Sequence, residues 1–253
     1  MEDYGSATYG DRIADVYDNW AGVPADTDDA VAFLAERAGG GPVLELGIGT
    51  GRIALPLAAR GLEVQGVDAS ERMVARLRAK PGGDRIPVAV GDFAEVGALP
   101  LGPAAFSLVL VVFNTFFALP DQEAQVRCFA GVAARLAPGG AFVMEAFVPD
   151  VARFQQGRHH VAALDVGVER VRLDVSVHDQ VEQRVRAQHV VLDAEGVRLY
   201  PVQIRYAWPS ELDLMARMAG LRLDERWSDW RAEPFTAQST RHVSVYRKAP
   251  DAP

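Results

Sequence analysis

The residues best suited to chemistry fall in one stretch, Val43-Leu-Glu-Leu-Gly-Ile-Gly-Thr-Gly-Arg52. An apolar strand runs into Gly47, Gly49 and Gly51, and a helix leaves. Glycines let the backbone adopt positive φ and let a ligand approach the main chain. The helix start offers free N–H groups and a partial positive charge. In an open α/β sheet such a turn is where nucleotides bind. Two ligand classes fit it. A dinucleotide fingerprint wants Gly-x-Gly-x-x-Gly or Ala, with pyrophosphate on the helix N-terminus. Here the third glycine comes one residue early and Arg52 holds the small position. Glu45, close to the loop, suits a ligand with an ammonium group better than one with two phosphates. Asp68 follows Gly51 by 17 residues and can accept from both hydroxyls of a ribose, a feature common to both classes. Gly91-Asp92-Phe93 offers an acceptor for an adenine amino group and an aromatic edge for its ring.

The elements that must position these residues alternate in type. Val43–Leu46, Leu62–Val67, Ile86–Val90, Phe106–Phe113 and Ala141–Phe147 read as strands. Gly51–Arg60, Glu71–Lys80 and Asp121–Leu136 read as helices between them, with Ser70 as an N-cap. The apolar run Ala104–Phe113 contains the expected central strand, buried on both faces. This alternation predicts an α/β fold with a doubly wound parallel sheet. Upstream, Tyr9, Ile13, Val16, Tyr17 and Trp20 recur as on one helix face, and a second helix should follow Thr27 and stop at Gly39. After Pro149 the period becomes two. Arg170–Val177, Val185–Leu192 and Val197–Ala207 predict antiparallel strands laid on the core as a cap or subunit contact. Ser210–Ala219 reads as a helix with Gly220 after its end, and Leu221–Trp227 and His242–Arg247 as two last strands.

Composition narrows the function classes. The 253 residues include 26 Lys plus Arg against 34 Asp plus Glu, a formal charge of −8, which argues against a nucleic-acid backbone as partner. The single cysteine, Cys128, lies in an apolar helical pattern and reads as a buried structural thiol. No metal cluster of cysteines is available. The N-terminal 18 residues carry several acids and no apolar core of a signal peptide, and the ten-residue apolar run cannot span a bilayer. The expectation is a soluble cytoplasmic protein without a membrane or nucleic-acid partner.

With these motifs in order, the chain resembles the class I S-adenosylmethionine-dependent methyltransferases over roughly Tyr9–Phe147. Glu45–Gly51, Asp68-Ala-Ser-Glu-Arg-Met73, Gly91-Asp92-Phe93 and Leu136-Ala-Pro-Gly-Gly140 carry the likeness. The resemblance implies a Rossmann-like, seven-stranded, mostly parallel sheet with an inserted antiparallel β cap, and S-adenosylmethionine as cofactor. It implies four regions: a helical lid at 1–40, the cofactor-binding core at 41–150, the β cap at 151–207, and a last helix with two core strands at 208–253. It implies roles by position. Gly47, Gly49 and Gly51 would pass under the cofactor, with Glu45 near its methionyl amine. Asp68 would hold the ribose, with Ala69 and Met73 beside the adenine, and Asp92 and Phe93 would complete that pocket. Phe113 and Asn114 would line the methionine side, and Tyr9 and Tyr17 would close over the cofactor. The lid also looks like that of methyltransferases acting on natural products, aminosugar N-methyltransferases included. A His that such enzymes can carry after the fourth strand aligns with Ala118, and the apolar loop Phe113–Leu119 favours an acceptor with an apolar or aromatic body.

Methyl transfer needs an acceptor atom near 3–3.5 Å from the methyl carbon, opposite the sulfur. The leaving thioether is neutral, so a base is needed only where the acceptor carries a proton. His159 and His160, after the fifth strand, are the candidate bases, with Glu145 as a second possibility, and His178 and His189 read as surface residues of the cap. Trp227–Phe235 would close the acceptor pocket or pack on the sheet edge. The cap at 165–207 would join two copies in a homodimer. The expected function is methyl transfer to O, N or C of a small specialised metabolite. The alternatives are an NAD(P)-linked dehydrogenase or a cofactor-binding protein without transfer chemistry.

Overall fold

The computed structural model describes residues 3–21, 24–102, 105–154 and 158–248; Ala104, the first residue of the apolar run, lies outside these. The chain opens with α1 (Thr8–Ile13), α2 (Tyr17–Ala21) and α3 (Thr27–Ala38). β1 (Val43–Leu46), α4 (Ala54–Ala59), β2 (Val64–Asp68), α5 (Glu71–Arg78) and β3 (Val88–Val90) follow, then β4 (Phe106–Val111), α6 (Gln122–Arg135) and β5 (Leu136–Phe147). A second series comprises β6 (His159–Val166), β7 (Arg170–Asp179), β8 (Arg184–Asp193) and β9 (Gly196–Arg205). α7 (Pro209–Met218), β10 (Leu221–Trp227) and β11 (Arg241–Lys248) close the fold.

Seven strands form the main sheet in the order β10-β11-β5-β4-β1-β2-β3. β11 runs antiparallel to both β10 and β5, and the rest are parallel. Alternate side chains sort the strands between two cores. Val109 and Val111 of β4 join Phe129 of α6 and Met215 of α7 on one face. Leu108 and Leu110 join Leu34 of α3 and Leu57 of α4 on the other. Both faces are covered, which is why β4 is a nearly continuous apolar run, interrupted only by Ser107. Ser70 caps α5 by accepting from the Met73 N–H at 3.2 Å, and Asp121 caps α6 by accepting from Ala124 at 2.8 Å.

The cap is a separate four-stranded antiparallel sheet in the order β6-β7-β8-β9. Its edge strand β6 is an element the period-two reading missed. Its burial runs between exposed and half-buried with only a partial alternation, and no apolar face marks it. The lid also departs from expectation. One helix face was predicted through Trp20, but the chain turns at Ala14–Val16 and forms two short helices. Ile13 and Ala14 are buried with Met73 of α5 and with Val191 and Tyr200 of the cap. Polar contacts hold the lid on α5. Asp15 pairs with Arg72 and Arg76 at 2.5 Å, Asp18 with Lys80 at 2.9 Å, and Ser70 donates to Asp11 at 2.6 Å. Gly10 allows this approach, since a Cβ there would sit 2.5 Å from Ser70 Cβ.

Candidate active site

The parallel register brings the C-terminal ends of β1, β2 and β3 side by side, and a cavity of about 180 Å³ opens over them. Gly47, Gly49, Asp68, Ala69, Met73, Asp92 and Phe93 line it from the core, and Tyr9 and Tyr17 line it from the lid. Nine of the residues singled out from the sequence therefore meet around one space. All three loop glycines have positive φ, at 66°, 55° and 84°. Their uses differ. Gly49 has nothing nearer than 3.9 Å to an added Cβ, so the main chain there is open to a ligand. Gly51 faces away from the cavity, where a Cβ would come within 2.3 Å of Leu77 Cδ1. Its role is to let the helical layer pack.

Asp68 ends β2 with both carboxylate oxygens anchored. Oδ2 accepts from the Gly49 N–H at 2.7 Å and Oδ1 from the Ser70 N–H at 2.9 Å. Burial pushes this carboxyl up, and the two N–H bonds work against that shift. Each carboxylate oxygen keeps a lone pair for a diol. Asp92 accepts from the Ala94 N–H at 2.8 Å, so it caps its turn and lines the cavity together. Glu45 is buried on β1, and its Oε2 has no hydrogen-bond partner. Burial pushes its carboxyl up to about 8, against the Arg52 guanidinium and the Ala54 N–H. A buried carboxylate oxygen without a donor is costly unless a ligand supplies one.

Phe113 and Asn114 follow β4, both with φ near +60°, at 57° and 64°. Such conformations cost about 1–3 kcal/mol each in non-glycine residues and need support from around them. Glu145 of β5 gives that support by accepting from the Phe113 N–H at 2.9 Å, while Asn114 Oδ1 accepts from the Phe147 N–H at 2.7 Å. Asn114 thus ties β4 to β5. Glu145 also pairs with Arg241 at 3.2 Å. The bend turns the Phe113 ring outward, under the Arg52 guanidinium at 5.1 Å.

A second cavity of about 190 Å³ adjoins the first, and Tyr9 and Tyr17 line both. Phe113, Ile13, Trp20, Leu164, Arg172, His189 and Val191 complete it. It lies between lid and cap. His159 is exposed and His160 half-buried on the edge strand β6, and neither is among the residues lining either cavity. The surface reading of the cap histidines is corrected. His178 is buried with Nε2 at 2.8 Å from the Tyr206 hydroxyl, and His189 is half-buried at the second cavity. The late aromatic segment packs away from both cavities, with Trp230 edge-on to Phe33 at 5.4 Å. Residues missed from the sequence include Thr115, whose Cγ2 lies 2.3 Å from where a Gly47 Cβ would be, and Tyr4, whose hydroxyl accepts from the Gln203 N–H at 3.1 Å. Both line the first cavity. Contact with Gln203 depends on how β9 docks, which no local pattern signals.

A family model described as methyltransferase domain matches residues 43–140. The chain is 44% identical to the CcbJ methyltransferase from Streptomyces caelestis, covering 97% of this chain and all of that one with a TM-score of 0.88. It is 28% identical to the cypemycin N-terminal methyltransferase of a Streptomyces species, over 96% of this chain and 98% of that protein. An amino pentose methyltransferase from Micromonospora echinaspora shares the fold at 22% identity and a TM-score of 0.68, over 92% of this chain and 97% of that one. The chain belongs to the class I S-adenosylmethionine-dependent methyltransferases. It is an enzyme that transfers a methyl group from S-adenosylmethionine to a small molecule, and the nicotinamide-linked reading falls away. Among the described residues no helix is long and apolar enough to cross a membrane.

The residues fit this cofactor. The unpartnered Glu45 oxygen would meet a cationic amine, Asp68 a ribose diol, and Phe93 with Met73 an adenine face. The bound cofactor supplies an electrophilic methyl carbon on a positively charged sulfur. The chain contributes position and dryness. Tyr9 and Tyr17, both with pKa raised by burial, stay neutral and line both cavities.

Proposed function

We propose that the enzyme methylates an amine nitrogen on a specialised metabolite with an apolar or aromatic body. The second cavity would hold that acceptor. The observation that carries this reading is that Tyr9 and Tyr17 face both cavities, so an acceptor in the second would meet the cofactor across two rings. Four of the nine residues lining the second cavity are Tyr9, Tyr17, Trp20 and Phe113, and aromatic faces attract a cationic amine. The similarity to the cypemycin N-terminal methyltransferase supports an amine as the acceptor. The cofactor roles given above belong to the same proposal; Phe113 lines the second cavity and Asn114 neither, so at the methionine side they would act through the bend they form after β4. His159 and His160 stand as candidate bases for an acceptor that extends along β6 beyond Leu164. The test supplies S-adenosylmethionine with matched aryl amines and aryl alcohols and measures S-adenosylhomocysteine and product mass. Methylated amine supports the reading, and turnover of the alcohols alone overturns it.

The reading also places the enzyme in the cytoplasm as a homodimer joined through the outer face of the cap. Val161, Val175, Val197 and Leu199 share that face and are 64%, 37%, 64% and 54% exposed. A second copy would cover such a patch. Sedimentation of a single species at the monomer mass at high concentration overturns the dimer.

A further inference from the structure

We propose that His189 is the catalytic base that takes the proton from the acceptor amine. This rests on the reading that the second cavity binds an amine. Four of the groups lining that cavity can exchange or hold a proton: Tyr9, Tyr17, Arg172 and His189. Tyr9 and Tyr17 are held protonated by burial. A guanidinium has no acceptor atom. His189 alone presents a group that can accept a proton near neutral pH.

The surroundings keep it ready. On the cap sheet His189 of β8 stands between Asp174 of β7 and Tyr200 of β9, its cross-strand partners. Tyr200 is 8% exposed and packs edge-on against Trp20 of the lid at 4.4 Å. Arg172 of β7 stands opposite Val191, and its guanidinium lies 5.4 Å from the Trp20 ring centroid. The groups facing the imidazole are therefore Asp174, Arg172 and Tyr200 from the neighbouring strands, with Tyr9 and Tyr17 from the lid. His189 Nδ1 is buried and has no hydrogen-bond partner, so no contact within the protein fixes the ring's tautomer through it. Burial lowers the pKa of the imidazole from its ordinary value, the Asp174 carboxylate opposes this, and Arg172 adds to it. The ring is thus unprotonated in the resting enzyme at neutral pH.

The proton balance follows. An amine that enters as its ammonium has no lone pair to give. His189 takes one N–H proton and becomes imidazolium. The freed nitrogen lone pair forms its bond to the methyl carbon while the carbon–sulfur pair passes to sulfur, which leaves as a neutral thioether. The product amine carries the positive charge, and the imidazolium proton returns to water when the product leaves. The ring faces hold the entering ammonium, while the Arg172 guanidinium at the same cavity disfavours its charge and makes this transfer easier.

The experiment uses the full chain with S-adenosylmethionine and N-methylbenzylamine. In the wild type, kcat/KM should fall on the acid side with a midpoint below the ordinary histidine value of about 6.5. His189→Gln keeps a polar side chain of similar reach. It should lower kcat by about 100-fold or more with KM nearly unchanged, and remove the acid limb. An unchanged kcat and acid limb overturn the proposal. If the wild type does not methylate this amine, the reading of function fails for it. The base is then judged by the His189 ring signal in an NMR titration with S-adenosylhomocysteine bound. A midpoint below 6.5 that moves on adding the amine upholds the proposal, and a signal that titrates near 6.5 and ignores the amine overturns it.

Discussion

Binding of S-adenosylmethionine should release a proton from Glu45. The side chain is 3% exposed on β1 and has an unpartnered Oε2. Burial raises its pKa from 4.5 to about 8, against Arg52 and the Ala54 N–H and with help from Asp68. At pH 7 the free enzyme therefore holds Glu45 protonated by about ten to one. An ammonium brought beside it favours the carboxylate, so binding expels the proton. Between pH 6 and 7.5 the affinity should rise by nearly tenfold per pH unit, about 1.4 kcal/mol, and flatten near pH 8. The stability of the free protein moves the other way. A carboxyl whose pKa is raised by folding contributes fully below 4.5, and that contribution is lost as the pH climbs to 8. Calorimetry at pH 7 in two buffers of different ionisation enthalpy counts the released proton directly. S-adenosylhomocysteine carries the same amine and serves as the titrant. Glu45→Gln should abolish the release and leave an affinity that is flat with pH. A wild-type enzyme that releases no proton and binds equally at pH 6 and 7.5 refutes the reasoning.

Three further outcomes test other parts of the structure. Asp68→Asn replaces a charged acceptor of the Gly49 and Ser70 N–H groups, so cofactor affinity should fall by about tenfold to a hundredfold and the melting temperature by a few degrees. Unchanged affinity by calorimetry removes Asp68 from the site. Gly10→Ala puts a Cβ within 2.5 Å of Ser70 Cβ and should lift α1 from α5. Hydrogen exchange over residues 8–21 should then quicken, and equal exchange counts against the close approach. His242 is fully buried, and burial depresses its pKa to about 3. Its contribution is full above 6.5 and is lost as the pH falls toward 3, because the unfolded chain takes a proton the native ring refuses. The loss is at most about 1.4 kcal/mol per pH unit. Urea unfolding at pH 6.5 and pH 5 should show a shallower loss in His242→Asn than in the wild type.

The first cavity, the proposed cofactor side, was legible because each part of it obeys a local rule. A strand followed by three glycines needs positive φ, and all three positions have it. Ser70 and Asp121 read as caps and act as caps. Asp68, Asp92 and Gly47 sit at or just past the ends of strands that the parallel register sets level. The same reasoning overreached where one spacing serves two structures. The intervals Tyr9, Ile13, Val16, Tyr17 and Trp20 suit one helix, yet α1 and α2 are separate. Gly51 also fits the loop by sequence, and only its contact with Leu77 shows that it packs away from the cavity.

The second cavity, the proposed acceptor side, was hidden for a different physical reason. Its walls come from the lid, the bend after β4 and the inner face of the cap, surfaces that no single motif spans. A strand pattern tells which residues share a face but not which face is covered. His189 and Arg172 are 17 residues apart, and antiparallel register with a turn between them is what carries both to the cavity. His159 and His160 looked better placed because they follow the core directly in sequence. They fall on β6, where neither lines a cavity, while β7 and β8 bring Arg172, His189 and Val191 to the second one. The same asymmetry suits an enzyme of this kind. On the proposed function the cofactor would be met by rigid strand ends and the acceptor by a lid and a cap that can change without disturbing the sheet.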